Sequence, residues 1–183
     1  MTMEKRGIYD IIARRQSDRN YDIARPVERE KISRIIEAAR LAPSACNSQP
    51  WHFVVVDEPD LRKEVADAMT SIGMNQFAKT APCFVVIVQE SPNFTARIGG
   101  WIKNKHFPLI DCGIAASHIT LAATEEGLGS CIMGWFDEKR MKRLLSIPSG
   151  KRVLLVVALG YSSQQLREKI RHTTEEIAGY NKY

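Results

Sequence analysis

Leu41-Ala42-Pro43-Ser44-Ala45-Cys46-Asn47-Ser48-Gln49-Pro50-Trp51-His52-Phe53 is the stretch on which the reading of the whole chain turns. A helical pattern from Glu28 to Leu41 runs into Pro43, which has no N–H to donate and disfavours the α region for its predecessor. After the polar run Ser44–Gln49, Pro50 disfavours helix just before it. Trp51-His52-Phe53 then opens the β-branched run Val54-Val55-Val56. The pattern predicts a polar loop pinned by proline at both ends, between a helix and a strand. Binding residues concentrate on loops held by rigid elements in this way. The same pattern also describes an ordinary helix–strand connection whose Trp51 and Phe53 enter the core.

Upstream, Ile32, Ile35, Ile36 and Ala39 recur at the spacing of one buried helix face. Before them, Arg6–Arg15 is expected as a short helix with Ile8, Ile11 and Ile12 on one side. It ends in Arg14-Arg15-Gln16-Ser17-Asp18-Arg19. Three guanidinium groups and a hydroxyl so close together suit an oxyanion, which arginine binds through two parallel hydrogen bonds. A basic helix end complementing the macrodipole has the same composition.

Downstream, Asp57–Ile72 reads as a helix with Pro59 in its first turn, and Cys83–Gln89 as a strand rich in Val and Ile. Ser91–Phe107 is irregular, and its Trp101 or Phe107 suits either a lid over a planar ligand or a packed surface excursion. Pro108–Gly127 is apolar almost all round, as in a buried central helix. Its alanines and Gly113 permit close approach of another helix, so it is expected to pack partly against a second subunit. Asp111, Ser117 and His118 interrupt it, and a hydrogen-bonded core role is expected for them. Asp137–Leu145 reads as a helix and Val153–Val157 as the last core strand.

A chain of 183 residues, 44% hydrophobic and 26% charged, is expected to form a single domain, 1–183, with a substantial core. The formal net charge of +5 suits an anionic ligand. The basic residues are interspersed with acids and form no contiguous basic helix, which argues against nucleic acid. No apolar run approaches the roughly 18 residues of a membrane span, and the N-terminus lacks the apolar core of a secretion signal. Cys46, Cys83, Cys112 and Cys131 form no Cys-x-x-Cys pair and read as reduced thiols in a cytoplasmic protein. His52, His106, His118 and His172 show no metal-like spacing, and no phosphate-binding P-loop occurs.

Four segments, in order, resemble the flavin-dependent nitroreductase family. Arg15-Gln16-Ser17-Asp18-Arg19 is similar to the family's Arg-(Arg/His)-Ser-x-(Arg/Lys) signature, with Gln16 where a basic residue is common. Pro43–Trp51 is similar to Pro-Ser-x-x-Asn-x-Gln-Pro-Trp. Gly127–Asp137 is similar to Gly-Leu-Gly-(Ser/Thr)-Cys-x-x-Gly-Trp-Phe-Asp. Lys169–Ile177 resembles the C-terminal basic motif, with His172 where a further basic residue is usual.

The resemblance implies an α+β, nitroreductase-like fold, with a central mixed sheet surrounded by helices in an intertwined homodimer. It implies bound FMN and a ping-pong reaction, in which NADH or NADPH reduces the flavin at N5 and a nitroaromatic, quinone or similar small-molecule acceptor reoxidises it. No catalytic side chain or metal is needed. Carried over, Arg15, Gln16, Ser17, Arg19, Lys169 and Arg171 of one subunit grip the flavin, Arg19 at its N1/O2 edge. Pro43, Ser44, Ala45 and Asn47 come from the other subunit. Asn75 bonds the flavin, the backbone of Cys131, Ile132, Met133 and Gly134 passes beside the ring, and the N–H of Met133 or Gly134 reaches N5. Enone reduction, dehalogenation or flavin destruction are the family's specialised alternatives. A flavin-binding module without turnover is the alternative outside enzymology.

Overall fold

The structure, a computed structural model, describes residues 7–70, 73–96 and 105–183. In chain order its elements are α1 (Ile8–Arg14), α2 (Arg29–Arg40), β1 (Trp51–Val56), α3 (Pro59–Met69), β2 (Cys83–Gln89), α4 (Phe107–Glu125), β3 (Gly129–Met133), α5 (Glu138–Leu144), β4 (Arg152–Gly160) and α6 (Thr174–Ile177). The strands form one sheet in the order β1-β2-β4-β3. β2 is central and pairs antiparallel with β1 (Val54 opposite Val86) and with β4 (Val85 opposite Val157).

Alternation along β2 divides the interior into two cores, because successive side chains leave opposite faces of a strand. Phe84, Val86 and Val88 point to one face, where Val65, Ala68 and Met69 of α3 and Met141 of α5 cover them. Cys83, Val85 and Ile87 point to the other, against Ile32, Ile35 and Ala39 of α2 and Cys112, Ala116 and Ile119 of α4. Helices on both faces explain why β2 is apolar at almost every position. The helix expected over Asp57–Ile72 is the shorter α3, Pro59–Met69, and acidic side chains cap the starts of α3 and α5. The Glu58 carboxylate accepts from the N–H groups of Asp60 and Leu61 at the start of α3, and Asp137 accepts from Arg140 N at the start of α5.

Two expectations are corrected. The ladders are antiparallel throughout, not mixed, and the parallel pairing among the described residues is confined to a single bridge, Ser17 with Ser130. Of all the described helices, α4 is the one long and apolar enough to cross a membrane by length and composition, contrary to the reading of the apolar runs. Only 39% of its most apolar stretch is buried within the chain. The buried side faces the sheet. On the open side Leu109 and Ile110 are half exposed, and a methyl added at Gly113 would meet nothing within 4 Å. Asp111 is buried, and His118 Nδ1 lies 3.0 Å from Ala38 O. Trp101 lies outside the described residues.

Candidate functional site

Beyond α1 the chain runs extended along the outer edge of β3, where Asp18 N donates to Ser130 O at 2.9 Å. Asp18 is buried. Its Oδ1 accepts from Ser162 Oγ at 2.6 Å and from Gln16 Nε2 at 3.0 Å, and Tyr21 Oη donates to its carbonyl at 2.8 Å. Burial pushes the Tyr21 phenol far up, so it remains a donor. Gly129 makes room for this arrangement. A Cβ there would lie 2.8 Å from the Asp18 carboxyl and 2.7 Å from Ser162 Cβ.

Across from this segment lies the chain after β4. Arg167 N donates to Gln16 Oε1 at 3.1 Å, Arg167 Nη2 donates to Ser17 O at 2.8 Å, and Lys169 Nζ donates to Ala13 O. Between them opens a groove of about 380 Å³ carrying Arg15, Arg19, Arg167, Lys169 and Arg171, with Glu168 as its one carboxylate. Among the described residues, none of these five cations is ion-paired. Loss of hydration, then the charges of Arg15 and Arg171, hold the Lys169 ammonium below lysine's ordinary value. Five cations around one cavity, without an ion-pair partner among the described residues, have the donor chemistry that suits an oxyanion. The sequence reading missed Arg167, although it belongs to the same basic run as Lys169 and Arg171.

Further along β3, the bond from Asp18 N turns the peptide groups of Ser130 outward. Strand alternation then turns those of Cys131 and Met133 toward β4, opposite Ala158 and Val156. Of the two N–H candidates, Met133 is therefore committed to the ladder, and Gly134 is the one left. A methyl on Gly134 would meet nothing nearer than Leu155 Cδ2 at 3.8 Å, so packing within the chain does not require glycine there. Ile132 is exposed, while Cys131 and Met133 are buried. The Asn75 side chain donates to Trp135 O at 2.9 Å from a backbone at φ 50°, pinning the stretch after β3. Phe77, in the same turn, lies under the Arg19 guanidinium at 6.0 Å.

The Pro43–Gln49 loop sits elsewhere. Cys46, Asn47 and Gln49 adopt φ of 52°, 50° and 47°, a left-handed region that costs most side chains energy. Local bonds hold this shape: Gln49 N donates to Ser44 Oγ at 2.9 Å, and Gln49 Nε2 to Asn47 Oδ1 at 3.1 Å. α4 anchors the loop, with Asp111 Oδ1 accepting from Ala45 N at 3.2 Å and Cys112 Sγ donating to Pro50 O at 3.4 Å. Burial pushes the Cys112 thiol up to about 12, keeping it protonated. The other end of α4 reaches the Arg14–Asp18 segment, since Thr124 and Arg14 line one cavity. From Asp111 to Thr124 the helix rises about 20 Å. Among the described residues, the groove that carries the five cations is not lined by Pro43, Ser44, Ala45 or Asn47.

An α+β protein with a cationic groove at its sheet edge is the class so defined. The chain belongs to the nitroreductase family, whose model, described as Nitroreductase family, matches residues 12–74 and 72–161. It is 35% identical over 159 residues to an Archaeoglobus fulgidus protein provisionally named NADH dehydrogenase/NAD(P)H nitroreductase, covering 85% of each chain. Among solved structures, a nitroreductase family protein from Clostridium novyi NT matches at TM-score 0.74 with 31% identity over 86% of each chain. An FMN-dependent nitroreductase from Clostridium difficile R20291 matches at TM-score 0.74 with 29% identity, covering 94% of this chain and 98% of that one. The α+β nitroreductase fold and the class of oxidoreductase follow.

Lys169 supplies a test of the groove. An anion seated among the cations offsets the charges of Arg15 and Arg171 and raises the lowered value of Lys169 toward the ordinary 10.5. Between the lowered value and 10.5, binding of inorganic phosphate therefore takes up protons, and the uptake fades as pH falls below the lowered value. Calorimetry in two buffers of different ionisation enthalpy reads this uptake, and Lys169→Met abolishes it. Uptake that is unchanged in Lys169→Met would contradict the assignment.

Proposed function

We propose that this chain is an FMN-dependent oxidoreductase that takes reducing equivalents from NADH or NADPH and passes them to an electron-poor acceptor, such as a nitroaromatic or a quinone. The observation that carries the reading is the groove beside the β3 edge, whose five cations have no ion-pair partner among the described residues. Its donor set fits a phosphate monoester, a dianion that guanidinium groups bind bidentately. Arg15, Ser17, Arg167, Lys169 and Arg171 would hold the phosphate end. Arg19, Asn75 and the backbone at Gly134 would hold the ring.

A bound flavin supplies hydride acceptance and hydride delivery, chemistry that protein side chains do not provide. The chain's part is to bind and orient. Arg19 brings a fixed positive charge to the polar edge of the site, where it stabilises negative charge as it develops. Gly134, without a side chain, leaves backbone open to a ligand.

We assign the missing wall of the site to a second copy of the chain, giving a homodimer. Leu109 and Ile110 on α4, with Ile8 and Ile12 on α1, stay about half exposed, and α1 packs on α4. A soluble chain gains by covering such a surface, and the partner's loop would then bring Asn47 to the groove. All four cysteines are free and three of them are buried, which suits a reducing, cytoplasmic compartment.

FMN-loaded protein mixed without oxygen is expected to lose its flavin absorbance with NADH, NADPH or both, and to regain it on addition of a nitroaromatic or quinone. Absorbance unchanged by either nucleotide would leave a flavin-binding module without turnover. Subunit sharing has its own check. Arg15→Ala and Asn47→Ala, each nearly inactive alone, should recover about a quarter of wild-type activity when co-expressed, because mixed dimers keep one intact site. No recovery would place the site in a single chain.

A further inference from the structure

The arm after β4, residues 163–173, has no helix or strand, and its apolar side chains Leu166 and Ile170 are exposed. Burial therefore contributes little to holding it across the groove. What holds it is a set of polar contacts with the segment after α1, and among these Gln16 makes two to the arm backbone. Its Nε2 donates to Gln165 O at 3.2 Å, and its Oε1 accepts from Arg167 N at 3.1 Å. The second hydrogen of the same amide goes to Asp18 Oδ1 at 3.0 Å. Asp18 is itself buried and tied to Ser162 and to the β3 edge. A side-chain amide has two hydrogens to give, and both are taken. Gln16 lines the groove but has no hydrogen left for an anion in it.

We propose that Gln16 is a positioning residue that clasps the arm shut, so that Arg167, Lys169 and Arg171 face Arg15 and Arg19 across the groove. It sets anion affinity through the arm and adds neither charge nor a hydrogen bond to the ligand. The proposal rests on the flavin reading for the identity of the anion, but its geometry does not depend on that reading. It makes a prediction opposite in sign to the electrostatic one. Placing arginine at position 16 adds a cation to the groove, which on charge alone tightens an anion. Arginine, however, has no acceptor for Arg167 N and so cannot remake the clasp.

The test compares wild type with Gln16→Arg and Gln16→Ala. FMN dissociation constants are measured by quenching of flavin fluorescence, and hydrogen exchange is followed on the ligand-free proteins. Both variants are expected to bind FMN about ten-fold more weakly, in line with the loss of one hydrogen-bonded anchor. The Arg167 amide and its neighbours in the arm should exchange faster, while β2 exchanges as in wild type. Faster exchange in β2 as well would reveal general destabilisation and overturn the positioning role. A Gln16→Arg protein that binds FMN as tightly as wild type, or more tightly, would overturn it too. Wild type that fails to bind FMN would overturn the flavin reading alone, and the exchange data would still decide the clasp.

Discussion

A carboxyl group buried at the rim of the sheet, that of Asp18, holds together parts of the chain that are far apart in sequence. Its backbone N–H is fastened to the outer edge of β3, and its side chain gathers Ser162 from the end of β4 and Gln16 from the segment before it. Burying a polar group is costly unless it is hydrogen-bonded. Here one of the satisfying donors, Gln16, lines the groove, and the other, Ser162, stands just before the arm that carries Arg167, Lys169 and Arg171. Gly129 is the counterpart of this arrangement, since any side chain there would enter the space the carboxyl occupies. The site is thus a consequence of how one edge strand is closed off, and five cations are carried to it on segments that would otherwise be loose.

The rest of the fold provides a rigid frame for that edge. Two apolar cores on opposite faces of β2 leave the sheet little freedom. α4 contacts both regions that the family resemblance assigns to flavin binding, through Asp111 at one end and Thr124 toward the other. Because these regions are separated along one helix, the proposed dimer would draw the two halves of each binding wall from different chains. The apolar face left open along α4 accords with a second copy supplying the complementary half. Such an arrangement couples assembly to cofactor binding, since anything that binds only the assembled form stabilises it.

Much of this was legible in the sequence. Cys83–Gln89 was expected as a strand and is β2 with the same bounds, because a β-branched run bounded by Pro82 has few other solutions. The helix expected over Glu28–Leu41 is α2, Arg29–Arg40, its periodicity intact. Arg15, Ser17, Arg19, Lys169 and Arg171 were matched to family motifs at opposite ends of the chain, and they do share a groove. What escaped was what depends on packing. Asp18 and Gly129 matter through their mutual distance, which no spacing reveals. Gln16 was matched to a flavin-gripping position, and only its partners Asp18, Gln165 and Arg167 show where its amide is engaged. α4 was expected as a buried helix with room for a close neighbour, but composition could not say which of its residues stay uncovered within the chain, and these include Leu109 and Ile110. The antiparallel ladders were likewise invisible to periodicity, which is the same in either sense of pairing.

The account turns on the groove holding the phosphate of a flavin, and the measurement closest to that claim is a paired titration of the protein with FMN and with riboflavin at low and high salt. The two ligands share the ring and differ by the phosphate. FMN is predicted to bind about a hundredfold more tightly at low salt, with the gap narrowing as salt screens the cations. Equal affinity for the two flavins at low salt would contradict the account, because it would leave Arg15, Arg19, Arg167, Lys169 and Arg171 without the anion they are arranged to receive.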